Sequence, residues 1–215
     1  MAQQNLIEKI KKTEDFSNVI DFECLPKNPE YVYLLLFEQE PYDGNKSDEF
    51  ITEAAKLAGY NGQYWHTEIV YFDQKKYEWM AIGCRPPTCS SDFPVYRLQY
   101  QFRGYTAAVR QLRVPLEKQA QARKWFENAL QGQPYDLAGP HSTNCTDAVV
   151  GLGQKAGVLQ DIRRVTRDEF SRLPGIRAFL FKWDLPSVDS VMKRESIIFP
   201  DELENIGRYI GTMQF

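Results

Sequence analysis

The chain has 215 residues, of which 26% are charged, and its formal net charge at pH 7 is −3. This balance lacks the basic excess of a nucleic-acid-binding surface, and no apolar run approaches the roughly 18 residues of a membrane-spanning helix. We therefore expect no nucleic-acid partner and no transmembrane segment. The N-terminus lacks the long apolar region of a signal peptide, so a cytoplasmic location is expected. The length suits one domain over residues 1–215.

Hydrophobic periodicity and turn residues divide the chain into helices and strands. In chain order, the sequence predicts a helix at 3–12, a buried strand at 31–37, a turn at 41–45, a helix at 47–58, a hairpin of strands 66–73 and 77–84, strands at 93–100 and 106–114, helices at 116–130 and 144–156, a short helix opened by a capping box at 166–169, a strand at 178–185 and a final helix at 200–211. This order predicts an α+β fold, in which a mostly antiparallel sheet packs against helices.

The four cysteines are Cys24, Cys84, Cys89 and Cys145. A cytosolic chain of this size does not need disulfides, so free thiols are expected. The C-x4-C spacing of Cys84 and Cys89 is a loose fit to half of a zinc site, but no second Cys/His pair accompanies it. We expect no metal and no cofactor.

Cys145 lies where a predicted helix begins, after a loop rich in turn formers. Ser142 or Thr143 could cap this helix, which would place Cys145 in its first turn. Unpaired backbone N–H groups and the helix dipole favour a negative charge there, so a thiolate would be stabilised and a developing oxyanion could be held. The alternative is that Cys145 is a small buried apolar residue.

A cysteine nucleophile needs a base, and the chain offers only His66 and His141. His141 lies in the preceding loop, whereas His66 opens a predicted strand. Glu78, on the other arm of the predicted hairpin, could orient the imidazole of His66. Glu68, two residues along the same strand face, is the alternative orienting group.

The segment 132–158, "GQPYDLAGPHSTNCTDAVVGLGQKAGV", resembles the nucleophile segment of the NlpC-like papain-fold superfamily. The segment "HTEIVYFDQKKYE" is similar to the histidine strand of its circularly permuted branch, in which the histidine precedes the cysteine. That branch includes bacterial permuted papain-like enzymes and, more distantly, the lecithin:retinol acyltransferase group. The resemblance covers roughly residues 31–185. It implies a papain-like α+β fold in permuted order.

The resemblance further implies Cys145 as nucleophile, His66 as general base and Glu78 as third polar residue. Substrate-binding residues would be Tyr135, Asn144 and Trp65. The implied function is a thiol-dependent hydrolase that cleaves a peptide-like amide through an acyl-enzyme on Cys145. An acyltransferase or thioesterase acting on lipid or other acyl groups, and a binding module without turnover, remain open. The implied partner is a small-molecule, peptide or lipid acyl substrate.

Overall fold

A computed structural model describes residues 19–38, 46–135, 144–160, 162–192 and 194–215 of the chain. The predicted helix at 3–12, the predicted turn at 41–45 and His141 lie outside the described residues.

The strands of the described chain are β1 (Tyr31–Glu38), β2 (Tyr64–Asp73), β3 (Glu78–Arg85), β4 (Thr88–Pro94), β5 (Thr106–Arg113), β6 (Val165–Thr166), β7 (Ser196–Ile197) and β8 (Arg208–Gln214). Six of them form a sheet in the order β4-β3-β2-β1-β5-β8, in which every neighbouring pair is antiparallel. The two short strands β6 and β7 pair separately.

The α-helices of the described chain are α1 (Lys46–Leu57), α2 (Val95–Gln101), α3 (Leu116–Ala129), α4 (Cys145–Ala156), α5 (Arg167–Ser171), α6 (Ile176–Lys182) and α7 (Val188–Val191). Short 3-10 turns occur at Phe22–Cys24 and Pro200–Leu203. The expected mostly antiparallel sheet packed against helices is confirmed. In the described chain, no helix has both the length and the apolar character needed to cross a membrane.

Apolar side chains cover both faces of the large sheet. One face carries Phe37, Val70 and Trp79 in an aromatic-rich cluster. On the other face, helices α3 and α4 pack against the sheet. The two helices approach closely because Gly151 of α4 lacks a side chain: a Cβ there would lie 2.2 Å from the Trp125 ring.

The predicted helix at 144–156 is confirmed, and both of its ends are capped. Asn144 is the N-cap, since its side-chain oxygen accepts the N–H of Asp147 at 2.8 Å. This corrects the expectation that Ser142 or Thr143 caps the helix. Gly157 follows the last turn with φ of +72°, the left-handed conformation that a glycine C′ residue favours. Cys145 is thus the first residue of α4.

Three predicted elements are wrong in type. Residues 93–100 were expected as a strand, but β4 ends at Pro94 and α2 follows, burying Val95 and Leu98 at helical spacing. The expected strand at 178–185 is instead covered mainly by helix α6. The apolar residues of this region recur at the i, i+3, i+4, i+7 spacing of a helix: Ile176, Phe179, Leu180 and Trp183.

The expected C-terminal helix at 200–211 is replaced by a 3-10 turn and by strand β8. β8 pairs with β5 at the edge of the sheet. Gly207, with φ of +74°, turns the chain just before this strand. Pairing with the free edge of β5 therefore determines that residues 208–214 form a strand. The local sequence pattern of these residues did not indicate this pairing.

Cys84 and Cys89 form a disulfide between β3 and β4, where they are direct cross-strand partners. The expectation of free thiols at these positions is therefore wrong, and the two sulfurs are not available as zinc ligands. Both residues are buried in the cluster that β3 and β4 share with α3 and α4. The disulfide closes the hairpin whose first strand ends at Arg85.

Candidate active site

The structure brings His66 of β2 and Cys145 of α4 together in the protein interior. Both side chains are almost fully buried, with 0% and 2% of their surface exposed. The backbone of Thr67, next to His66, is close enough to the Cys145 sulfur to contribute to the lowering of its pKa. The thiol therefore lies close to the strand that carries the imidazole.

Each of the two groups shifts the pKa of the other. Burial alone would lower the pKa of His66, but the negative charge of Cys145 and a weaker contribution from Glu68 raise it to about 9. Burial alone would raise the pKa of the Cys145 thiol, but the positive charge of His66 holds it below its ordinary value. The site therefore favours a thiolate beside an imidazolium.

The interaction between thiol and imidazole is chiefly one of charge. Among the described residues, Nδ1 of His66 makes no hydrogen bond of ordinary geometry. The charge of each group is also the largest influence after burial on the pKa of the other. In catalytic sites, the hydrogen bond between a nucleophile and its base is commonly long without substrate and shortens when substrate binds.

Glu68, rather than Glu78, orients the imidazole. Nε2 of His66 lies 3.1 Å from Oε1 of Glu68, and both side chains are fully buried. The two residues are two apart on β2, so they project from the same face of the sheet. Glu68, the alternative orienting group considered from the sequence, therefore lies next to the imidazole.

The prediction that Glu78 is the third polar residue is wrong for a geometric reason. Glu78 is exposed and pairs with Asp73, the last residue of β2. His66 lies seven residues earlier on that strand, which is about 23 Å at roughly 3.3 Å per residue. The regular register of the hairpin carries Glu78 to the opposite end of the sheet.

Arg85 completes a buried chain of charged groups that sequence reasoning missed. Its Nε and Nη2 atoms donate to the two carboxylate oxygens of Glu68 at 2.9 and 2.8 Å. Burial alone would raise the pKa of Glu68, but the charges of Arg85 and His66 hold it below its usual value. The guanidinium stacks on the ring of Phe93, 4.1 Å from its centroid. Glu68 is therefore ionised and fixed in place.

A glycine gives the Glu68 carboxylate its room. A Cβ added to Gly83, on the neighbouring strand, would lie 2.2 Å from Oε2 of Glu68. Two sequence signals could have indicated the pairing of Arg85 with Glu68. One is the single arginine at the end of the apolar run "WMAIGC". The other is Gly83, because a glycine within a strand often marks a place where another group approaches the backbone closely.

Aromatic rings enclose the imidazole. The His66 ring stacks on Phe102 with 4.8 Å between centroids and lies 5.5 Å from the ring of Phe37, its cross-strand partner. These rings exclude water from the imidazole and leave Cys145 and Glu68 as its polar neighbours. Low local dielectric strengthens both interactions.

A small cavity of about 30 Å³ lies beside the thiol. Cys145, Asn144 and Trp65 line it, so two of the three predicted substrate-binding residues lie at the site. Its other lining residues are mostly apolar: Phe50, Ile51, Ala54, Thr146, Phe170, Met192, Ile197, Ile198, Phe199 and Pro200.

Tyr135 does not lie where it was expected. It is half-buried and packs against the cluster that contains the Cys84–Cys89 disulfide, and its N–H donates to the carbonyl of Pro87 at 3.0 Å. It is not among the described residues that line the cavity beside Cys145. The β3–β4 hairpin holds it elsewhere.

A larger cavity of about 430 Å³ lies between the sheet and helices α3 and α4. Its walls are mainly apolar and include Ile69, Val149 and Leu152. Cys145 and His66 are not among the described residues that line it. Of the two residues, Cys145 lines the smaller cavity, which makes that cavity the candidate site.

Comparison with solved structures finds "Crystal structure of metalloprotein yiiX from Escherichia coli O157:H7, DUF1105", with a TM-score of 0.53 and 15% sequence identity. The match covers 86% of this chain and 96% of the other. No protein-family model and no curated protein matches the sequence. At this identity the likeness shows a related α+β fold.

The Glu68 carboxylate next to His66 is already paired with a cation, Arg85. Within the described ranges, no group of three or more His, Cys, Asp or Glu side chains is placed to hold a metal ion. Both oxygens of Glu68 already accept hydrogen bonds from Arg85, whose positive charge opposes a second cation.

Proposed function

We propose that the protein is a cysteine hydrolase that cleaves a peptide-like amide bond, with Cys145 as nucleophile and His66 as general base and acid. The observation that carries this proposal is the buried pair in which His66 lowers the pKa of Cys145 and Cys145 raises that of His66. Mutually shifted pKa values of this kind are typical of activated nucleophiles.

The reaction would follow from the residues in place. The Cys145 thiolate attacks the carbonyl carbon, an S–C bond forms, and the π pair moves to the carbonyl oxygen. Free N–H groups at the start of a helix such as α4 would stabilise that oxyanion. The intermediate collapses, the C–N bond breaks, and the His66 imidazolium gives its proton to the leaving amine. Water, deprotonated by His66, then releases the acyl group and regenerates the thiolate.

Glu68 and Arg85 support the proposal as positioning residues. Glu68 accepts a hydrogen bond from Nε2 of His66. This bond would turn Nδ1 of the ring towards the thiol and stabilise the imidazolium. Arg85 holds Glu68 with two hydrogen bonds, so the carboxylate stays ionised in a buried place. The order of His66 before Cys145 is also that of the permuted papain-like branch which the sequence resembles.

The proposal is tested first by the reactivity of Cys145. Iodoacetamide is expected to label the buried Cys145 faster than the exposed Cys24 at pH 6.5, because the positive charge of His66 lowers the pKa of Cys145. The His66→Ala variant should label Cys145 more slowly than Cys24. Peptide mapping by mass spectrometry gives both rates from one sample. Equal labelling of the two cysteines in the wild type contradicts the proposal.

Turnover is the second test. A panel of acyl p-nitroanilides should be hydrolysed by the wild type, with an acyl adduct on Cys145 visible by intact mass. Cys145→Ala and His66→Ala should abolish both signals. Unchanged turnover in these variants would remove the proposal. Adding hydroxylamine should release the acyl group of the Cys145 thioester as the hydroxamate, which identifies the covalent intermediate.

An acyltransferase or thioesterase acting on an apolar acyl group is the second candidate, and the larger cavity favours it. Val149, Leu152 and Ala156 line this cavity and follow Cys145 on one face of α4, at positions i+4, i+7 and i+11. Its volume of about 430 Å³ falls within the roughly 300–1,000 Å³ of small-ligand sites. An acyl chain along this face of α4 would lie in an apolar environment.

Filling the larger cavity tests that candidate. Ala120 of α3 lines it and is exposed, so Ala120→Trp should reduce turnover of p-nitrophenyl octanoate but not of p-nitrophenyl acetate. Ala129→Trp, at an exposed position of the same helix outside the cavity lining, is the matched control. Equal losses for both esters, or none for the octanoate, contradict the candidate.

The Cys84–Cys89 disulfide provides an argument about the cellular compartment of the protein. A buried cross-strand disulfide such as Cys84–Cys89 is typical of proteins from oxidising compartments and rare in the cytosol. It favours an oxidising compartment over the cytoplasmic location expected from the sequence. Alkylation of protein extracted under acid quench should find Cys84 and Cys89 blocked in the native host; free thiols at both positions would contradict this.

A further inference from the structure

Trp65 occupies an irregular position in β2. Phe37 of β1 pairs with His66 and Glu38 pairs with Tyr64, so Trp65 is an extra residue in a β-bulge. Bulges redirect side chains and are frequent beside active sites. The bulge places the Trp65 and His66 rings 5.3 Å apart.

The indole N–H of Trp65 is a buried donor on a side chain that lines the same cavity as the nucleophile. Trp65 is 9% exposed, and its Nε1 has no hydrogen-bond partner in the part of the chain that the structure describes. Buried donors without acceptors are rare, and each costs about 1–3 kcal/mol. Trp65 lines the same small cavity as Cys145 and Asn144. A carbonyl oxygen bound in this cavity would lie next to the side chain that carries that donor.

The start of α4 supplies the other donors. Asn144 accepts the N–H of Asp147 with its side chain and that of Ala148 with its carbonyl. The N–H groups of Cys145 and Thr146 precede these bonds, at positions that have no partner within a helix. An oxyanion on a carbon bonded to the Cys145 sulfur therefore has backbone donors on the helix side.

We propose that the indole N–H of Trp65 is the side-chain donor that stabilises the oxyanion formed when Cys145 attacks an acyl carbonyl. This inference rests on the proposed acyl chemistry. In the attack, the thiolate pair forms the S–C bond and the C=O π pair becomes the oxyanion lone pair. The indole and the α4 N–H groups donate to that oxygen until it expels the leaving group. Trp65 is thus a catalytic residue as well as part of the cavity wall.

The test compares two reactions of the same thiol. Acylation of Cys145 by p-nitrophenyl acetate passes through an oxyanion, whereas alkylation by iodoacetamide is a displacement at a saturated carbon and does not. Trp65→Phe keeps the aromatic bulk and removes the N–H. It should slow the acylation burst about 100-fold, as is typical for loss of one oxyanion donor, and change alkylation by less than twofold.

Trp79→Phe is the matched control. Trp79 is 8% exposed and its Nε1 also has no partner among the described residues, but it does not line the cavity beside Cys145. This variant should leave both reactions unchanged. An acylation rate in Trp65→Phe within threefold of the wild type overturns the inference, and so does an equal slowing of alkylation, which would indicate displaced packing.

The outcomes also separate this inference from the proposed function. If the wild type is not acylated on Cys145 at all, the proposed acyl chemistry fails. If the wild type is acylated and Trp65→Phe reacts equally fast, only the role of Trp65 fails. The thermal midpoint of each variant, measured by circular dichroism, identifies a variant that does not fold. If Trp65→Phe does not fold, Trp65→Leu replaces it and must show the same slower acylation with unchanged alkylation.

Discussion

Replacing Cys145 with serine should lower the pKa of His66. Serine keeps the approximate volume of cysteine but carries no charge, so the main influence that raises the pKa of His66 is removed. In the wild type, that pKa is about 9 against an ordinary 6.5. The difference corresponds to roughly 3 kcal/mol of preference for the protonated ring. In Cys145→Ser, burial still lowers the pKa and Glu68 still raises it, so a fall of at least about one pH unit is expected.

Histidine-selective NMR measures this directly, because the chain contains only His66 and His141. The ring signals would be followed from pH 5 to pH 10, with His141→Gln to assign them. A wild-type His66 that titrates near 6.5 would refute the ion-pair argument. An identical pKa in the wild type and in Cys145→Ser would refute the role of the thiolate.

The same coupling has a reciprocal consequence for the thiol. Thermodynamic linkage requires that the imidazolium lower the pKa of Cys145 by as much as the thiolate raises that of His66. Alkylation of the wild type should therefore be nearly independent of pH between the lowered pKa of Cys145 and about pH 9. In His66→Asn, burial remains and the positive charge is gone, so alkylation should increase only towards high pH. A wild-type profile that rises through one ordinary thiol pKa contradicts the coupling.

Three further predictions concern the groups that hold the pair. In Gly83→Ala, the new Cβ would lie 2.2 Å from Glu68, so the carboxylate must move by about 0.8 Å to restore a 3.0 Å contact. The pKa of His66, followed by NMR, should therefore fall. An unchanged titration of His66 would contradict this prediction. Arg85→Met leaves a buried carboxylate without its cation, and urea unfolding should show a loss of about 3–5 kcal/mol, whereas a loss below about 1 kcal/mol speaks against the pairing. Asn144→Ala removes the N-cap of α4 and should cost about 1 kcal/mol in the same assay, while Asn144→Asp keeps an acceptor and should cost less.

Local sequence signals were sufficient where one element decides its own structure. The capped helix α4 was predicted because its apolar spacing and the terminal Gly157 are encoded within 14 residues. The helix start predicted at 166–169 was confirmed for the same reason, since Thr166 is the N-cap and its hydroxyl accepts the N–H of Glu169 at 3.1 Å. In contrast, residues 208–214 became a strand because the edge of β5 was available, which no local pattern records.

For the candidate site, the sequence by itself determined the nucleophile candidate and its base: only two histidines are present, and Cys145 begins a helix. It could not decide the third group, because the choice between Glu68 and Glu78 depends on the register of the β2–β3 hairpin. Arg85 reaches Glu68 only through that register, and Trp65 enters the site only through a bulge opposite β1. Helix starts and caps are local, whereas register and bulges are set by pairing between distant residues, so only the tertiary structure decided which charges and donors surround the thiol.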